Sequence, residues 1–333
     1  MLKAVILGTA HGHVIGMAKE LQSIEGAQLT GVWDPDATRL AANAAALKAP
    51  AIAKLDEAVK SGATLALIGA VPNERAELAC RAADAGLHVI VDKPLAVTHD
   101  DLDRVIATQK RTGRIILAFY PYRGHQFVVA AKRAIDEGKI GQVVRVMSLG
   151  PHKLNAHNRP AWHWTRENNG GALVDIGSHH FDLACWLTGS APRQVFALQT
   201  NFTQPQHTGF QDFSQAMVQF DSGALAHIEA DWLNPTSMKN FGDTRIWVLG
   251  TTGKIEVRAG DTVSGEMWTA QAAAVPLEGV GSMQQWERQL FIDTAAGRYA
   301  AIQQDEVWQV SRVSLCALDS AQRNGAGVAV PRS

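Results

Sequence analysis

Lys3-Ala-Val-Ile-Leu-Gly8-Thr-Ala-His-Gly-His13 joins an unbroken apolar run to a glycine turn and then to the start of a helical pattern. A strand covered on both faces reads as such a run. A tight turn into a helix start presents backbone N–H groups to an anion. Working outward, strand-like runs at 3–7, 28–33, 50–53, 64–69, 88–91 and 114–119 alternate with helical patterns near 13–25, 36–48, 54–61, 73–85 and 99–112. Six strands alternating with helices imply right-handed crossovers and a parallel sheet.

The rhythm changes after about residue 140, where β-like runs fall at 142–149, 193–202, 214–220, 223–232, 245–249 and 254–258. Asp221-Ser-Gly223 and Thr251-Thr-Gly253 read as hairpin turns. Helical patterns lie at 124–137, 175–188, 284–296 and 303–323. The expected fold is α/β: a Rossmann doubly wound parallel sheet over residues 1–120, then an α+β domain over 121–333 with a large, mostly antiparallel sheet.

Composition narrows the function classes. The 333 residues carry a net charge of −1 and are 46% hydrophobic and 19% charged, an ordinary globular balance. No basic run offers the electrostatic footprint of a nucleic-acid partner. No run approaches the roughly 18 apolar residues of a membrane span, and the first apolar run is too short for a secretory core. A cytoplasmic location is the expectation. Cys80, Cys185 and Cys316 are few, odd in number and placed in helical patterns, so they read as reduced core thiols.

Against the dinucleotide pattern Gly-x-Gly-x-x-Gly, only Gly8 is in place; Ala10 and His13 fill the other two positions. Thr9, His11 and Gly12 complete the turn, and Gly12 offers a second point of close approach. The turn reads either as a pyrophosphate cradle or as a βα turn with no ligand. His11 and His13 also form a His-x-His pair, but no further ligand has convincing spacing, so no metal is expected. Asp34 ends the second strand, where a carboxylate would hold ribose hydroxyls and repel a 2′-phosphate. It favours NAD, with NADP second; the competing reading is a helix cap with Arg39 serving a phosphate. Asp92-Lys93-Pro94 follows the fifth strand, so Lys93 emerges at the carboxyl edge where ligands collect, or else is a solvated loop lysine.

Gly170-Gly-Ala-Leu-Val-Asp175-Ile-Gly-Ser-His179-His180-Phe-Asp182 carries the second constellation. At about 100° per residue, Ile176, His180, Leu183, Ala184 and Leu187 share an apolar face, while Asp175, His179 and Asp182 share a polar one. His180 is therefore expected in the core. Asp175 and His179 suit acid–base chemistry, the alternative being a helix-start carboxylate beside an incidental histidine.

Val71-Pro72-Asn73, Gly86-Leu-His-Val-Ile-Val-Asp92-Lys93-Pro94-Leu-Ala96, Phe119-Tyr-Pro-Tyr122-Arg123, Gly138-Lys-Ile-Gly141 and Gly170 to Asp182 together resemble the Gfo/Idh/MocA oxidoreductases. The later Gly250-Thr-Thr-Gly253 hairpin and Asp319-Ser-Ala321 extend the resemblance along the chain. Two departures are the missing glycines of the phosphate turn and Asp92 in place of the usual glutamate.

The resemblance implies a catalytic set of Lys93, Asp175 and His179. It also implies a cofactor set of Gly8, Thr9, Ala10, His11, Gly12, His13, Asp34, Val71, Pro72, Asn73, Asp92 and Lys93. The implied reaction moves a hydride between NAD and the secondary alcohol or ketone of a sugar, polyol or related hydroxy compound. Tyr122, Arg123, Arg159, Trp162 and Trp164 are expected toward the substrate, since indole faces rimmed by polar groups suit sugar rings; core or interface tryptophans are the alternative. A homodimer or homotetramer is also implied. Two rival readings are a cofactor-retaining redox-elimination enzyme and a dinucleotide sensor that binds regulatory partners.

Overall fold

A computed structural model describes residues 2–299 and 301–332. The chain divides into two compact units, one running to Tyr120 and including Gln284–Trp308, the other Pro121–Met283 and the chain from Gln309.

In the first unit β1 (Lys3–Leu7), α1 (His13–Gln22), β2 (Gln28–Trp33), α2 (Ala37–Ala46), α3 (Leu55–Ala58), β3 (Leu65–Ile68), α4 (Pro72–Asp84), β4 (His88–Asp92), α5 (His99–Thr112) and β5 (Ile116–Phe119) alternate. The five strands are parallel in the order β2-β1-β3-β4-β5. That order reverses between β1 and β3, and ligands of such sheets lie beyond the carboxyl ends at the reversal. All four residues of β3 are buried, as a strand covered on both faces requires. Local caps agree: Asp36 accepts from the Arg39 N–H at α2, and Thr98 from the Asp101 N–H at α5, which ends on left-handed Gly113.

The expected sixth strand at 50–53 does not form; Ala51 makes only an isolated parallel bridge to Val32. Pro50 begins that run and has no N–H to give a ladder. Residues Gln284–Trp308 also depart from the expected continuous stretch 121–333 by packing within the first unit. The Gln304 side chain accepts from Ile116 N at 3.0 Å and donates to Ile116 O at 2.5 Å, taking the place of a neighbouring strand on edge strand β5. Trp286 packs on Phe119 with ring centroids 5.7 Å apart.

The second unit contains α6 (Gln126–Asp136), β6 (Val143–Pro151), α7 (Arg166–Asn169), α8 (Ala172–Asp175), α9 (Gly177–Thr188), β7 (Pro192–Thr200), β8 (Phe213–Phe220), β9 (Leu225–Asp231), β10 (Thr244–Gly250), β11 (Gly253–Ala259), β12 (Val263–Thr269) and β13 (Val275–Pro276). After α10 (Met283–Ala295) and α11 (Gln304–Gln322), β14 (Val328–Ala329) completes the sheet. Its order is β13-β12-β11-β10-β6-β9-β8-β7-β14, antiparallel except for the β6–β9 pair. Val195, Ala197, Ala216, Val218 and Ile228 are buried on one face, while Phe196, Leu198 and Met217 are exposed on the other. The three cysteines are free, buried and helical, as expected.

Asp231, at the end of β9, is buried and accepts from Leu233 N at 2.8 Å. Burial, with repulsion from Glu229 and Asp212, pushes its carboxyl up to about 6 from 3.8. A carboxyl whose folded pKa exceeds its unfolded value binds more protons in the native state, so its contribution to stability falls as pH rises through that interval. Asp231→Asn should therefore gain stability relative to the parent as pH rises from about 4 to about 7. Thermal unfolding across that range checks this; a pH-independent offset between the two proteins would reject it.

Candidate functional site

The β1 turn is shaped by close approach. Gly8 has φ +77°, and a Cβ there would lie 2.5 Å from the Ala70 side chain. The His11 N–H donates to Gly69 O at 2.9 Å, tying the turn to the end of β3. α1 then begins at His13 with no side-chain cap at Gly12 and no acidic residue in its first turn. A Cβ on Gly12 would meet nothing within 4 Å. An uncapped helix start beside a glycine turn fits a pyrophosphate, whose charge the N–H groups and helix dipole favour. Val71, Pro72 and Asn73 open α4 beyond β3.

Asp92 ends β4, fully buried, with a charged neighbourhood the sequence does not reveal. His11 Nδ1 lies 2.6 Å from its Oδ2, and His13 Nδ1 lies 3.1 Å from Oδ1. Arg75, 0% exposed, approaches Oδ2 at 3.3 Å. The same guanidinium donates to Ala70 O at 2.9 Å, Asp92 O at 2.8 Å and Pro94 O at 3.2 Å, and also to Lys93 O. Burial opposes the charge of Asp92, but His11, His13 and Arg75 outweigh it and hold the carboxyl well below its ordinary range. Burial lowers the proton affinity of His11, with Asp92 acting against that shift. Lys93 is 5% exposed and is not a solvated loop lysine; the Lys93–Pro94 peptide is cis. Arg75 is the residue sequence reading missed. Its position on the α4 face shared with Leu78 and Ala79 was the available signal.

Asp34 is held by a dense set of hydrogen bonds within the first unit. It accepts from Thr9 N at 2.7 Å, Thr9 Oγ1 at 2.6 Å, Asp36 N at 2.9 Å and Arg39 Nη2 at 2.9 Å. Burial works against its charge, and these hydrogen bonds prevail, lowering its pKa. The carboxylate thus braces the phosphate turn, with Arg39 at its side. The helix cap weighed for Asp34 falls instead to Asp36.

In the second unit Gly170 and Gly171 adopt φ +81° and +76°. The Gly171 N–H donates to Asn169 Oδ1 at 2.6 Å as the chain turns into α8. α8 and α9 meet at Ile176, so the expected single helix from 175 is broken there. Asp175 and His179 lie on either side of the break, 7% and 4% exposed. His180 is a core residue as expected: its Nδ1 lies 2.7 Å from Ser148 Oγ, and a Cβ on Gly150 would fall 1.8 Å from its Nε2. Tyr122 packs edge-on against His179 at 5.2 Å, its hydroxyl accepting from Thr244 Oγ1 at 2.6 Å.

The Arg123 guanidinium meets Asp182 at 2.7 Å (Nη2 to Oδ1) and 3.0 Å (Nε to each oxygen), with both side chains buried. It locks the 121–124 turn to α9, the structural role weighed against a substrate contact. Asp182, placed by periodicity beside Asp175 and His179, is taken up by the same pair. Arg159 caps the indole of Trp232 at 4.4 Å and interacts electrostatically with Asp175. Trp164 is half-buried, stacks on His207 at 4.1 Å and packs on the cluster of Leu154, Ile176, Phe210, Ala230 and Trp232. Trp162 is half-buried beside His163.

Two family models match. Residues 2–120 match an oxidoreductase family with an NAD-binding Rossmann fold, and residues 128–256 match the GFO/IDH/MocA C-terminal domain. A myo-inositol 2-dehydrogenase of Thermotoga maritima is 29% identical over 193 residues, 57% of this chain and 54% of that protein. An NAD-dependent scyllo-inositol 2-dehydrogenase of Bacillus subtilis is 28% identical over 188 residues, 54% and 50% of the two chains. The chain thus spans about half the length of these curated relatives. A 2,7-anhydro-N-acetylneuraminate hydratase of Escherichia coli is 26% identical over 249 residues, 74% and 65%. Among solved structures, one from Erwinia carotovora atroseptica has TM-score 0.89 at 27% identity, covering 96% of this chain and 99% of that one. The aldose-aldose oxidoreductase of Caulobacter crescentus shares the fold, with TM-score 0.84 at 21% identity and coverage of 98% and 99%.

Removing one partner of a buried ion pair strands the other charge, at a cost of about 3–5 kcal/mol. Asp182→Ala should show a loss of that size in denaturant unfolding. The Arg123→Met, Asp182→Leu double variant should recover much of it, and additive losses would contradict the pairing.

Proposed function

Because the chain belongs to the GFO/IDH/MocA oxidoreductase family, we propose that it transfers a hydride between NAD and the secondary alcohol or ketone of a sugar, polyol or related hydroxy compound. The observation that carries this reading is the buried Asp175 and His179 on α8 and α9, in a chain that also holds the glycine turn and the buried Lys93. When bound, the dinucleotide supplies the hydride acceptor or donor. The chain's share is to hold substrate and move the proton. His179 takes the hydroxyl proton as general base, with Asp175 orienting it and Tyr122 bracing its ring. Lys93 hydrogen-bonds the reacting oxygen and stabilises charge that develops there. Gly8 to His13, Asp34, Val71 to Asn73 and Asp92 bind the dinucleotide. Arg159, Trp162 and Trp164 border the substrate.

The inositol dehydrogenase relatives support the polyol class. The charge of Asp34, which disfavours a 2′-phosphate, supports NAD over NADP, with Arg39 beside it the feature that favours the phosphate. The exposed Phe196, Leu198 and Met217 support a homodimer or homotetramer joined through that sheet face. No described helix is long and apolar enough to cross a membrane, consistent with a cytoplasmic enzyme. The hydratase relative favours a second reading, in which a retained dinucleotide oxidises and re-reduces the same molecule with no net redox change. Dinucleotide that copurifies and survives dialysis separates that reading from the first.

Replacing His179 with alanine should lower kcat about 10²–10⁴-fold in steady-state assays with polyols or sugars. Near-parental turnover would reject its role. In fluorescence titrations NADH should bind more tightly than NADPH, and Asp34→Ala should narrow that gap; an unchanged ratio would remove Asp34 from cofactor selection.

A further inference from the structure

The turn between β1 and α1 and the end of β4 bring together three metal-type donors that are far apart in sequence. The Nδ1 atoms of His11 and His13 converge on the two oxygens of Asp92, at 2.6 and 3.1 Å, and the ligand atoms of all three residues lie within 4.8 Å of one another. The two imidazoles meet edge-to-face at 4.4 Å. We propose that His11, His13 and Asp92 form a binding site for one divalent transition-metal ion of the zinc class. The three residues also belong to the dinucleotide set proposed above, so an ion there would compete with the dinucleotide for the same turn; the site itself does not rest on that reading, and it is tested in protein free of dinucleotide.

Ligand atoms of a tetrahedral zinc stand about 2.0–2.2 Å from the ion, and so about 3.3 Å from each other. The spread seen here brackets that spacing, so modest side-chain movement admits an ion. Two imidazoles and one carboxylate suit zinc, cobalt or nickel better than magnesium or calcium, which prefer all-oxygen shells.

The donors are also supported. Arg75 approaches Asp92 at Oδ2, the oxygen that also faces His11, while Oδ1 faces His13. The His11 N–H is fixed to Gly69 O, and His13 sits on the first residue of α1. His13 is 45% exposed, so the fourth coordination position opens toward solvent, where a water or an exogenous anion completes the shell. Glu287 on α10 lies in electrostatic reach of His13, but burial and repulsion from Glu20 push its carboxyl up to about 7.

The test uses the full chain, free of any histidine tag, stripped with chelator and titrated with Zn²⁺ by calorimetry and with Co²⁺ by visible absorption. The expected result is saturable binding of one ion per chain, with the intense visible bands of four- or five-coordinate cobalt. His13→Ala and His11→Ala should each weaken Zn²⁺ by at least about 10–100-fold, the loss that even an orienting partner produces. His157→Ala, an exposed histidine of the second unit, should leave binding unchanged. Asp92→Asn also disturbs Arg75, so the histidine variants decide. His13 is half-exposed, and its variant can be checked by circular dichroism and Tm before titration. Absence of saturable binding by the parent, or parental affinity in folded His13→Ala and His11→Ala, overturns the proposal and leaves the three residues as a hydrogen-bonded brace.

Discussion

A guanidinium with no contact to water organises the first unit. Arg75 donates to the backbone carbonyls of Ala70, Asp92, Lys93 and Pro94 and lies against the Asp92 carboxylate. A desolvated arginine is tolerable only when its fork of donors is satisfied, so the segment after β3 and the segment after β4 are held to one another. Those are the carboxyl ends where a parallel sheet collects ligands. The backbone that bears Lys93, and the carboxylate that gathers His11 and His13, are both fixed by a residue with no exposed surface.

The second unit uses the same device. Arg123 and Asp182 form a buried, multiply bonded pair that ties the 121–124 turn to α9. Tyr122, within that turn, packs on His179 and accepts from Thr244. Fixing the turn fixes the ring that braces the proposed base. Asp182, which shares a helix face with His179 by periodicity, is thereby used for structure, and Asp175 remains the carboxylate proposed to orient His179.

The β1–α1 turn departs from the three-glycine pattern and is held by other contacts. Only Gly8 is constrained by both a positive φ and a near neighbour in Ala70. Position 10 accepts alanine, and position 13 accepts a histidine that starts α1. The two histidines engage Asp92 across the turn, and Asp34 engages Thr9 from the other side. A turn normally defined by absent side chains is held here by present ones. Fold alone leaves the use of such a turn open, and the chemistry follows from the groups placed around it.

Much of this was legible in the residue order. Apolar runs alternating with helical patterns give the parallel sheet, and the change of rhythm after about residue 140 gives the antiparallel one, because periodicity is set by local geometry. Periodicity also separated core His180 from His179. Four features needed the tertiary structure. Strand 50–53 dissolves into one bridge because pairing depends on a neighbour. Residues 284–308 join the first unit because the Gln304 amide satisfies the edge of β5, 188 positions away. The His-x-His pair found its third donor in Asp92, 79 residues from His13, and Arg123 found Asp182 across 59 residues. Spacing along a chain reports only what one helix turn or one strand brings together. Long-range pairs between buried charges are decided by packing, which sets where desolvated groups must find their partners.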